Sequence, residues 1–297
     1  MEKRKVWFFF LVLSLGLITF SACEEKNEEV KKELTDSEIN MTNEDLLSES
    51  LYEEAFSTAD EQLFKLDNQN YNTSSKKSVN EDNPCMEITV DKPDTSHFPK
   101  TLTIDYGQGC TKVFNGDTIT KSGKLIVTIN GRYFKEGASH SITFKDFYIN
   151  GMRLEGTQTV INNGLNNSGN LSWAIELKNG KIIFPDSSEI TRESSRTREW
   201  INNGTFFIRA DDYFLITGYV NGSNGENTYQ RTVLDSLKKE TGWPFFVSGQ
   251  VELQYNDYPA IILDYGDGSL DRKATLSRGD YSKEIMLGFK RKRFNSY

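Results

Sequence analysis

The stretch GKLIVTINGRYFKEGASHSITFKDFYINGMRLEGT, at residues 123–157, decides the class of fold. Two runs within it, 123–134 and 141–149, alternate or nearly alternate apolar and polar residues, which is the period of a half-buried β-strand. Asn-Gly pairs stand at 130–131 and 150–151, and Asn-Gly accepts the positive φ angles of the type I′ turn that joins hairpin strands. The stretch therefore predicts antiparallel strands joined by tight turns.

The same pattern continues over residues 85–297, in runs such as TLTIDY, LSWAIEL, KIIFP, DYFLITGYV and QVELQY. Asn-Gly occurs eight times, with Asn at positions 115, 130, 150, 163, 179, 203, 221 and 224. No βαβ alternation and no glycine-rich nucleotide loop accompanies these runs. We predict a mostly β protein in which 85–297 is an antiparallel meander whose reversals are set by Asn-Gly. The pattern favours a large curved sheet or an open barrel, with a sandwich as the alternative.

One N-terminal helix is predicted over residues 42–66. Thr42 can cap it, and Asp45 lies in its first turn, where a carboxylate meets free backbone amides. Its apolar residues fall at helical spacing on one stripe, namely Leu47, Leu51, Ala55, Ala59, Leu63 and Leu66. An amphipathic helix of this kind packs on the β domain or on a neighbour. The polar residues 67–84 are predicted to be a linker.

The N-terminus predicts a lipoprotein signal peptide over residues 1–22. A basic head precedes an apolar run of about 15 residues, which is shorter than a membrane-spanning helix. Ser21 and Ala22 before Cys23 resemble the lipobox of bacterial lipoproteins, although Phe20 replaces the aliphatic residue usual at its position. The resemblance implies that Cys23 is acylated, for example by palmitate, and anchors the mature chain to the outer membrane. The alternative is an ordinary signal peptide with an incidental cysteine.

Residues 23–41 are predicted to form an acidic, disordered tether. The chain has 43 acidic against 35 basic residues, and residues 23–66 alone hold 14 acidic and 4 basic ones. The remaining body is close to neutral, so the composition gives no nucleic-acid footprint. The acidic residues after Cys23 resemble the surface-export signal of Bacteroidota lipoproteins, which implies a place on the cell surface.

The cysteine count indicates a disulfide. Three cysteines in an exported chain leave one over. If Cys23 carries lipid, Cys85 and Cys110 remain as a pair in an oxidising compartment, where a disulfide between them is expected. Two free buried thiols are the alternative.

Two similar segments, IDYGQGC at 104–110 and LDYGDGS at 263–269, raise the question of a repeated metal site. Their spacing does not match the calcium loop of an EF-hand, and the first has Gln108 where the second has Asp267. Two glycines separated by one residue instead fit a hairpin with a bulge. We predict that both segments are structural turns and that the protein holds no metal and no cofactor.

These segments resemble a group of uncharacterised lipoproteins of Bacteroidota when they are taken together with ITRESSRTREW at 190–200 and the glycine-rich run at 147–157. The resemblance covers roughly residues 85–288 and implies a surface lipoprotein without an assigned activity. Ser269 departs from the group, which often has a cysteine shortly after the second DYGDG, so no second disulfide is expected.

The densest charged segment offers a candidate anion site. Arg192, Arg196 and Arg198 stand at even spacing and share one face of a strand, where they can bind a carboxylate, sulfate or phosphate. The alternative is a solvent-facing surface neutralised by acids of neighbouring strands. His97 and His140 both lie among polar residues, and we predict that they are exposed and that the protein has no catalytic residues.

Together these features predict a lipid-anchored, non-catalytic protein of the cell envelope. It is expected at the cell surface, where it binds a glycan or a protein or plays a structural role, and its contact with the membrane is made by the lipid on Cys23. The first alternative is a periplasmic carrier of a lipid or other hydrophobic ligand in a β cavity. A hydrolase with an unrecognisable site is a third.

Overall fold

The computed structural model describes residues 33–68, 78–80, 83–92, 97–114, 117–204 and 211–291. The predicted signal peptide, Cys23 and the tether up to residue 32 lie outside the described residues. Within them one helix is followed by fifteen strands. These are α1 (Asp36–Asn68), β1 (Ser78–Asn80), β2 (Asn83–Val90), β3 (Lys100–Asp105), β4 (Cys110–Phe114), β5 (Asp117–Ile129), β6 (Ser139–Ile149), β7 (Met152–Leu165), β8 (Leu171–Ile183), β9 (Glu189–Ile201), β10 (Tyr213–Ser223), β11 (Thr228–Glu240), β12 (Ser248–Tyr255), β13 (Ile261–Asp267), β14 (Lys273–Arg278) and β15 (Tyr281–Met286).

The strands form one antiparallel meander, as predicted. Each strand from β5 to β15 lies beside the next, and β1, β2 and β3 extend the sheet beyond β5. Strand β4 is an exception, because β3 and β4 both pair with β5, along its residues 124–129 and 117–121 respectively. In the described residues β1 and β15 end the path without pairing with each other. The sheet is therefore open, which decides among the predicted alternatives.

The Asn-Gly pairs set some of the reversals but not all of them. The pairs at 130–131, 203–204 and 224–225 lie in the connections that follow β5, β9 and β10. Asn150 and Gly151, with φ angles of 49° and 78°, do form the tight turn between β6 and β7. The pairs at 163–164, 179–180 and 221–222 instead lie inside strands β7, β8 and β10. At 179–180 the register of β8 against β9 shifts, since a positive φ angle suits a β-bulge as well as a turn. The pair at 115–116 lies outside the described residues.

Helix α1 starts earlier than the predicted Thr42. The Oγ1 atom of Thr35 accepts a hydrogen bond from the backbone N–H of Glu38 at 3.2 Å, and Glu38 Oε2 accepts one from the Thr35 N–H at 2.8 Å. This reciprocal pair is a capping box, which fixes a helix N-terminus. Residues 36–41 are consequently helical and not a disordered tether. Thr42 lies buried inside the helix and donates to the carbonyl oxygen of Glu38.

The helix is buried on nearly all sides, whereas the sequence predicted a single apolar stripe. The predicted stripe does lie in the core, but so do Tyr52 and Phe56 and the carboxylates of Asp45 and Glu49. Helix α1 contacts β5, β6, β9 and β12. Strands so far apart along the path can touch one helix only if the sheet curves round it. No helix within the described residues is long and apolar enough to cross a membrane.

The predicted disulfide between Cys85 and Cys110 is confirmed. It joins β2 to the start of β4 with a Cα–Cα distance of 5.4 Å. Cys110 directly follows the first DYGxG segment, which connects β3 to β4. The disulfide therefore ties this connection to β2.

The two DYGxG segments share one local hydrogen bond. In each the N–H of the first glycine donates a hydrogen bond to the aspartate at 2.8 Å, from Gly107 to Asp105 Oδ1 and from Gly266 to Asp264 Oδ1. Both glycines have positive φ angles, and the tyrosine between them and the aspartate is buried. The first segment is a turn, as predicted, although not a hairpin turn, because β3 and β4 pair with β5 and not with each other. The second segment lies largely within strand β13, which runs to Asp267, and the register of β12 against β13 shifts there, as at a β-bulge.

Candidate functional site

The charged side chains that meet inside the sheet form the candidate site. Asp45 and Glu49 lie one helical turn apart and therefore share a face of α1. Arg192 and Arg196 lie at even spacing on β9 and share its inner face, and Arg231 comes from β11. We call these five residues the arginine–carboxylate cluster. The helix supplies both of its negative charges and the sheet all three positive ones.

The cluster is held by direct, charge-assisted hydrogen bonds. Arg192 reaches both acids, with Nη1 at 2.8 Å from Asp45 Oδ1 and Nη2 bonded to Glu49 Oε2. Arg196 binds Glu49 through both of its terminal nitrogens, with Nη1 at 2.6 Å from Oε1. Arg231 Nη1 lies 3.2 Å from Asp45 Oδ2 and 3.0 Å from Glu49 Oε2. Such forked contacts fix geometry as well as charge.

Burial makes these charges interact strongly. The side chains of Asp45, Glu49, Arg192 and Arg231 are between 0% and 6% exposed. Burial raises the pKa of Glu49, but the adjacent guanidinium groups of Arg196, Arg192 and Arg231 outweigh it and hold that pKa well below its usual range. Burial likewise lowers the pKa of Arg192, and the neighbouring acids more than restore it. The ionised forms are the stable ones.

Two tyrosines complete the surroundings of the cluster. Arg192 Nη1 donates to the Tyr229 hydroxyl at 3.4 Å, and Arg231 donates to the Tyr265 hydroxyl at 2.5 Å. Burial raises the pKa of Tyr229 to about 12 and raises that of Tyr265 as well. Both phenols therefore stay neutral and accept hydrogen bonds without adding negative charge. Tyr265 belongs to the second DYGxG segment, which therefore supplies one of the partners of Arg231.

Further ion pairs join α1 to the sheet along its length. Each places an acidic residue of the helix against a basic residue of a strand or loop. They are Glu38–Arg278, Glu44–Arg291, Glu54–Lys121, Asp60–Arg198 and Asp67–Arg132. The acidic residues of α1 that lie outside the predicted apolar stripe thus meet basic residues of the sheet and of loops.

The predicted anion-binding arginines do share one face, as their spacing indicated. That face is the inner one, and helical carboxylates occupy it. Arg192 and Arg196 bind Asp45 and Glu49, and Arg198 lies 3.0 Å from Asp60. Neither a solvent-facing surface nor acids of neighbouring strands provide the partners. One signal of this arrangement was present in the sequence, because Asp45 and Glu49 stand at helical spacing between apolar positions.

His140 is buried and not exposed as predicted, with 6% of its surface accessible, whereas His97 is exposed. The His140 ring stacks on Tyr133 with 6.3 Å between the centroids. Burial lowers the pKa of His140 to about 4. The negative charge of Asp60 opposes this lowering, and the positive charge of Arg198 adds to it. The imidazole is therefore neutral at physiological pH and packs as part of the core.

The crevices found among the described residues of the inner face are small. A crevice beside the cluster, lined among others by Tyr52, Gln158, Arg196 and Arg198, has space for about one water-sized particle. Among the described residues no group of three His, Cys, Asp or Glu side chains is placed to hold a metal ion. The arrangement can lock the helix to the sheet and can bind a small ion. Comparison of the chain with protein-family models, with curated proteins and with solved structures finds no match in any of the three.

Proposed function

We propose that this protein is a lipid-anchored, non-catalytic module of the cell envelope, held at the outer membrane by Cys23 and exposed at the cell surface. The disulfide carries this proposal. Because Cys85 and Cys110 pair with each other, Cys23 is the one cysteine of the three that is left for acylation. Stable disulfides are typical of compartments outside the cytoplasm. The lipobox-like Ser21-Ala22-Cys23 would direct the chain to the same compartments.

The early start of α1 supports a position close to the membrane. Helix α1 begins at Asp36, so a lipid on Cys23 would be separated from the folded body by residues 24–35. A flexible chain of that length spans roughly 20 Å, which is enough to clear lipid headgroups.

The outer face of the sheet is the binding surface in this proposal, because α1 covers the inner face. A row of hydroxyl side chains crosses several strands there. Thr101, Thr128, Ser141 and Thr159 lie opposite one another on β3, β5, β6 and β7, and none of them is buried. A neutral, hydroxyl-rich surface suits a glycan or a protein better than a lipid, which would need apolar area.

Metabolic labelling tests the anchor. Cells that express the protein are fed an alkyne-bearing palmitate, and the purified protein is assayed for label. We expect label on the wild type and none on Cys23→Ala. The matched control is the double variant Cys85→Ser with Cys110→Ser, which should keep the label. Label that survives Cys23→Ala would disprove the anchor.

Protease treatment of intact cells tests the surface location. We expect proteinase K to remove the body from intact cells while a periplasmic marker protein stays whole. Protection until the outer membrane is permeabilised would place the protein on the periplasmic side.

Native mass spectrometry tests the alternative of a lipid carrier. The body, purified without its N-terminal anchor, should show the mass of the chain alone, and a retained lipid would favour a carrier.

A further inference from the structure

The Asn-Gly pairs have a chemical reactivity of their own, apart from their part in the fold. In such a pair the backbone nitrogen of the glycine can attack the side-chain carbon Cγ of the asparagine, because glycine has no Cβ atom to obstruct the approach. The new C–N bond displaces the side-chain amide as ammonia, which takes up the proton of the glycine N–H, and a cyclic succinimide remains. Water then opens the succinimide to aspartate or isoaspartate. A fold that restrains the pair slows this reaction, because the chain must first open locally.

The fold restrains most of the Asn-Gly pairs that the structure describes. The pair at 115–116 lies outside the described residues, which leaves seven of the eight. Three of the seven, at 163–164, 179–180 and 221–222, lie inside strands β7, β8 and β10. Neighbouring strands hold the backbone there, so these pairs react only when the sheet opens locally.

Three of the four pairs in connections between strands are held by the amide of the asparagine, which donates a hydrogen bond to another part of the chain. These contacts are Asn150 to the Phe289 carbonyl oxygen at 3.1 Å, Asn203 to the Asp211 carbonyl oxygen, and Asn224 to the Glu44 carboxylate at 3.0 Å. In the last two pairs the glycine N–H is held as well, at 2.8 Å from Asn202 Oδ1 and at 3.0 Å from Ser223 Oγ. Local opening must therefore precede reaction in these pairs too.

The pair Asn130-Gly131, which directly follows β5, is restrained much less. Asn130 is exposed to solvent. Among the described residues its side chain makes one hydrogen bond, from Nδ2 to Ser139 Oγ at 3.4 Å, which is longer than the usual limit of about 3.2 Å. The N–H of Gly131 has no acceptor in the described part of the chain. The attacking nitrogen and the amide under attack are therefore both available here.

We propose that Asn130 is a site of spontaneous deamidation, at which the pair Asn130-Gly131 converts to an aspartyl or isoaspartyl linkage with water as the only reactant. The reaction needs neither the lipid anchor nor a ligand of the outer face. It adds a negative charge at residue 130, and the isoaspartyl product also adds an atom to the backbone.

The modified residue stands at the start of a connection that holds α1. Arg132 Nε lies 3.1 Å from Asp67 Oδ1, and the Tyr133 hydroxyl donates to Asp60 Oδ1 at 2.6 Å. Both acids belong to the C-terminal half of the helix. A longer backbone directly before these two contacts displaces them, so deamidation loosens the hold of the sheet on this end of α1.

Peptide mapping of the wild type tests the site. The full chain is incubated at mildly alkaline pH, either folded or unfolded in guanidinium chloride, and the conversion of each asparagine is followed by mass spectrometry and by labelling with an isoaspartyl methyltransferase. The unfolded chain gives the intrinsic rate of each pair. We expect folding to slow Asn130 by no more than about threefold and the six other described pairs by at least about tenfold. Equal slowing of Asn130 and these pairs, or faster conversion of Asn150, Asn203 or Asn224 in the folded protein, would overturn the proposal.

Ageing of matched variants tests the effect on α1. Asn130→Gln blocks the reaction, because the longer side chain would have to close a larger ring, whereas Asn163→Gln removes a restrained pair on β7. The Tm of the wild type and of Asn163→Gln should fall as residue 130 converts, and that of Asn130→Gln should stay at its initial value over the same time. A wild-type Tm that stays constant while residue 130 converts would show that the connection does not hold the helix.

Discussion

Whether a strand residue of this protein is buried depends more on its position in the alternation of the strand than on the polarity of its neighbours in sequence. His140 lies in the polar segment EGASHSI, which suggested an exposed position. It stands two residues before Ile142, however, and both residues face the core from β6. The alternation that predicted the strand was sufficient to predict the burial of His140. Its partner Tyr133 was beyond prediction, because that contact depends on the fold of the loop between β5 and β6.

The burial of His140 predicts a pH dependence of stability. Its pKa is about 4 in the folded protein against 6.5 for the free side chain, so the unfolded chain takes up the proton first. Stability is complete above about pH 6.5 and falls as the pH drops toward 4. By pH 5 the loss amounts to about 2 kcal/mol. Urea unfolding of His140→Gln between pH 7 and pH 5 should lack this loss.

His97→Gln is the matched control, because His97 is the only other histidine in the chain and is exposed. Its stability should depend on pH as that of the wild type does. If His140→Gln and the wild type show the same slope between pH 7 and pH 5, the imidazole is not buried as described.

Glu49 is the residue on which the arginine–carboxylate cluster depends most, because it contacts Arg192, Arg196 and Arg231. In Glu49→Gln three buried guanidinium groups would share one carboxylate. Breaking a buried ion pair in this way costs about 3–5 kcal/mol, and we expect that loss in equilibrium urea unfolding. Glu61→Gln, which affects an exposed pair with Lys65 on the same helix, should cost less than about 0.5 kcal/mol. Similar costs for the two variants would contradict the described cluster.

At the scale of elements, the strands were predictable and the helix boundary was not. Alternation alone identified most strands, since each half-buried strand repeats every two residues. The start of α1 was missed because the acidic composition of residues 24–41 suggested disorder. The capping box between Thr35 and Glu38 was visible in the sequence as Thr-x-x-Glu. Its importance became clear only with Arg278, which binds Glu38 from β14.

Thr35→Ala tests the helix boundary. Loss of the cap should cost about 1 kcal/mol of stability and should lower the hydrogen-exchange protection of the Ile39 amide, which donates to the Thr35 carbonyl oxygen at 3.0 Å. Ser37→Ala alters an exposed residue of the same turn and should change stability by less than about 0.5 kcal/mol. A neutral Thr35→Ala would favour a helix that begins near Thr42.

A glycine at the bulge of strand β10 provides a second test at the scale of elements. Gly218 has a φ angle of 118°, and a Cβ atom there would lie 2.2 Å from the backbone oxygen of Ser195 on β9. We expect Gly218→Ala to cost about 3 kcal/mol in thermal or urea unfolding, from strain and overlap combined. Gly225→Ala has a similar positive φ angle but open space around it, so it should cost only about 1–2 kcal/mol. Equal costs would show that overlap at Gly218 is relieved by backbone movement.

At the scale of the whole molecule, the sequence did not distinguish a curved sheet, an open barrel and a sandwich. The three differ in what covers the inner face of the sheet. The described sheet stays open and curves round α1. The acidic residues of α1 pair with basic residues that lie far away in the chain, 240 positions in the case of Glu38 and Arg278. Local periodicity carries no information about such pairs. The fold class was therefore predictable, whereas the arginine–carboxylate cluster was not.

If α1 is held by the inner face and not by its connection to β1, it should stay bound after the chain is cut. A protease site inserted between residues 68 and 78 allows this test in the folded protein. We expect the two fragments to elute together in gel filtration and to appear as one complex in native mass spectrometry, because α1 buries apolar and charged side chains on several faces. The same cut in a chain with Asp45→Asn and Glu49→Gln should release the helix, since three arginines would then lose both carboxylates. A wild-type helix that separates on cleavage would mean that the linking segment, and not the cluster, keeps α1 inside the sheet.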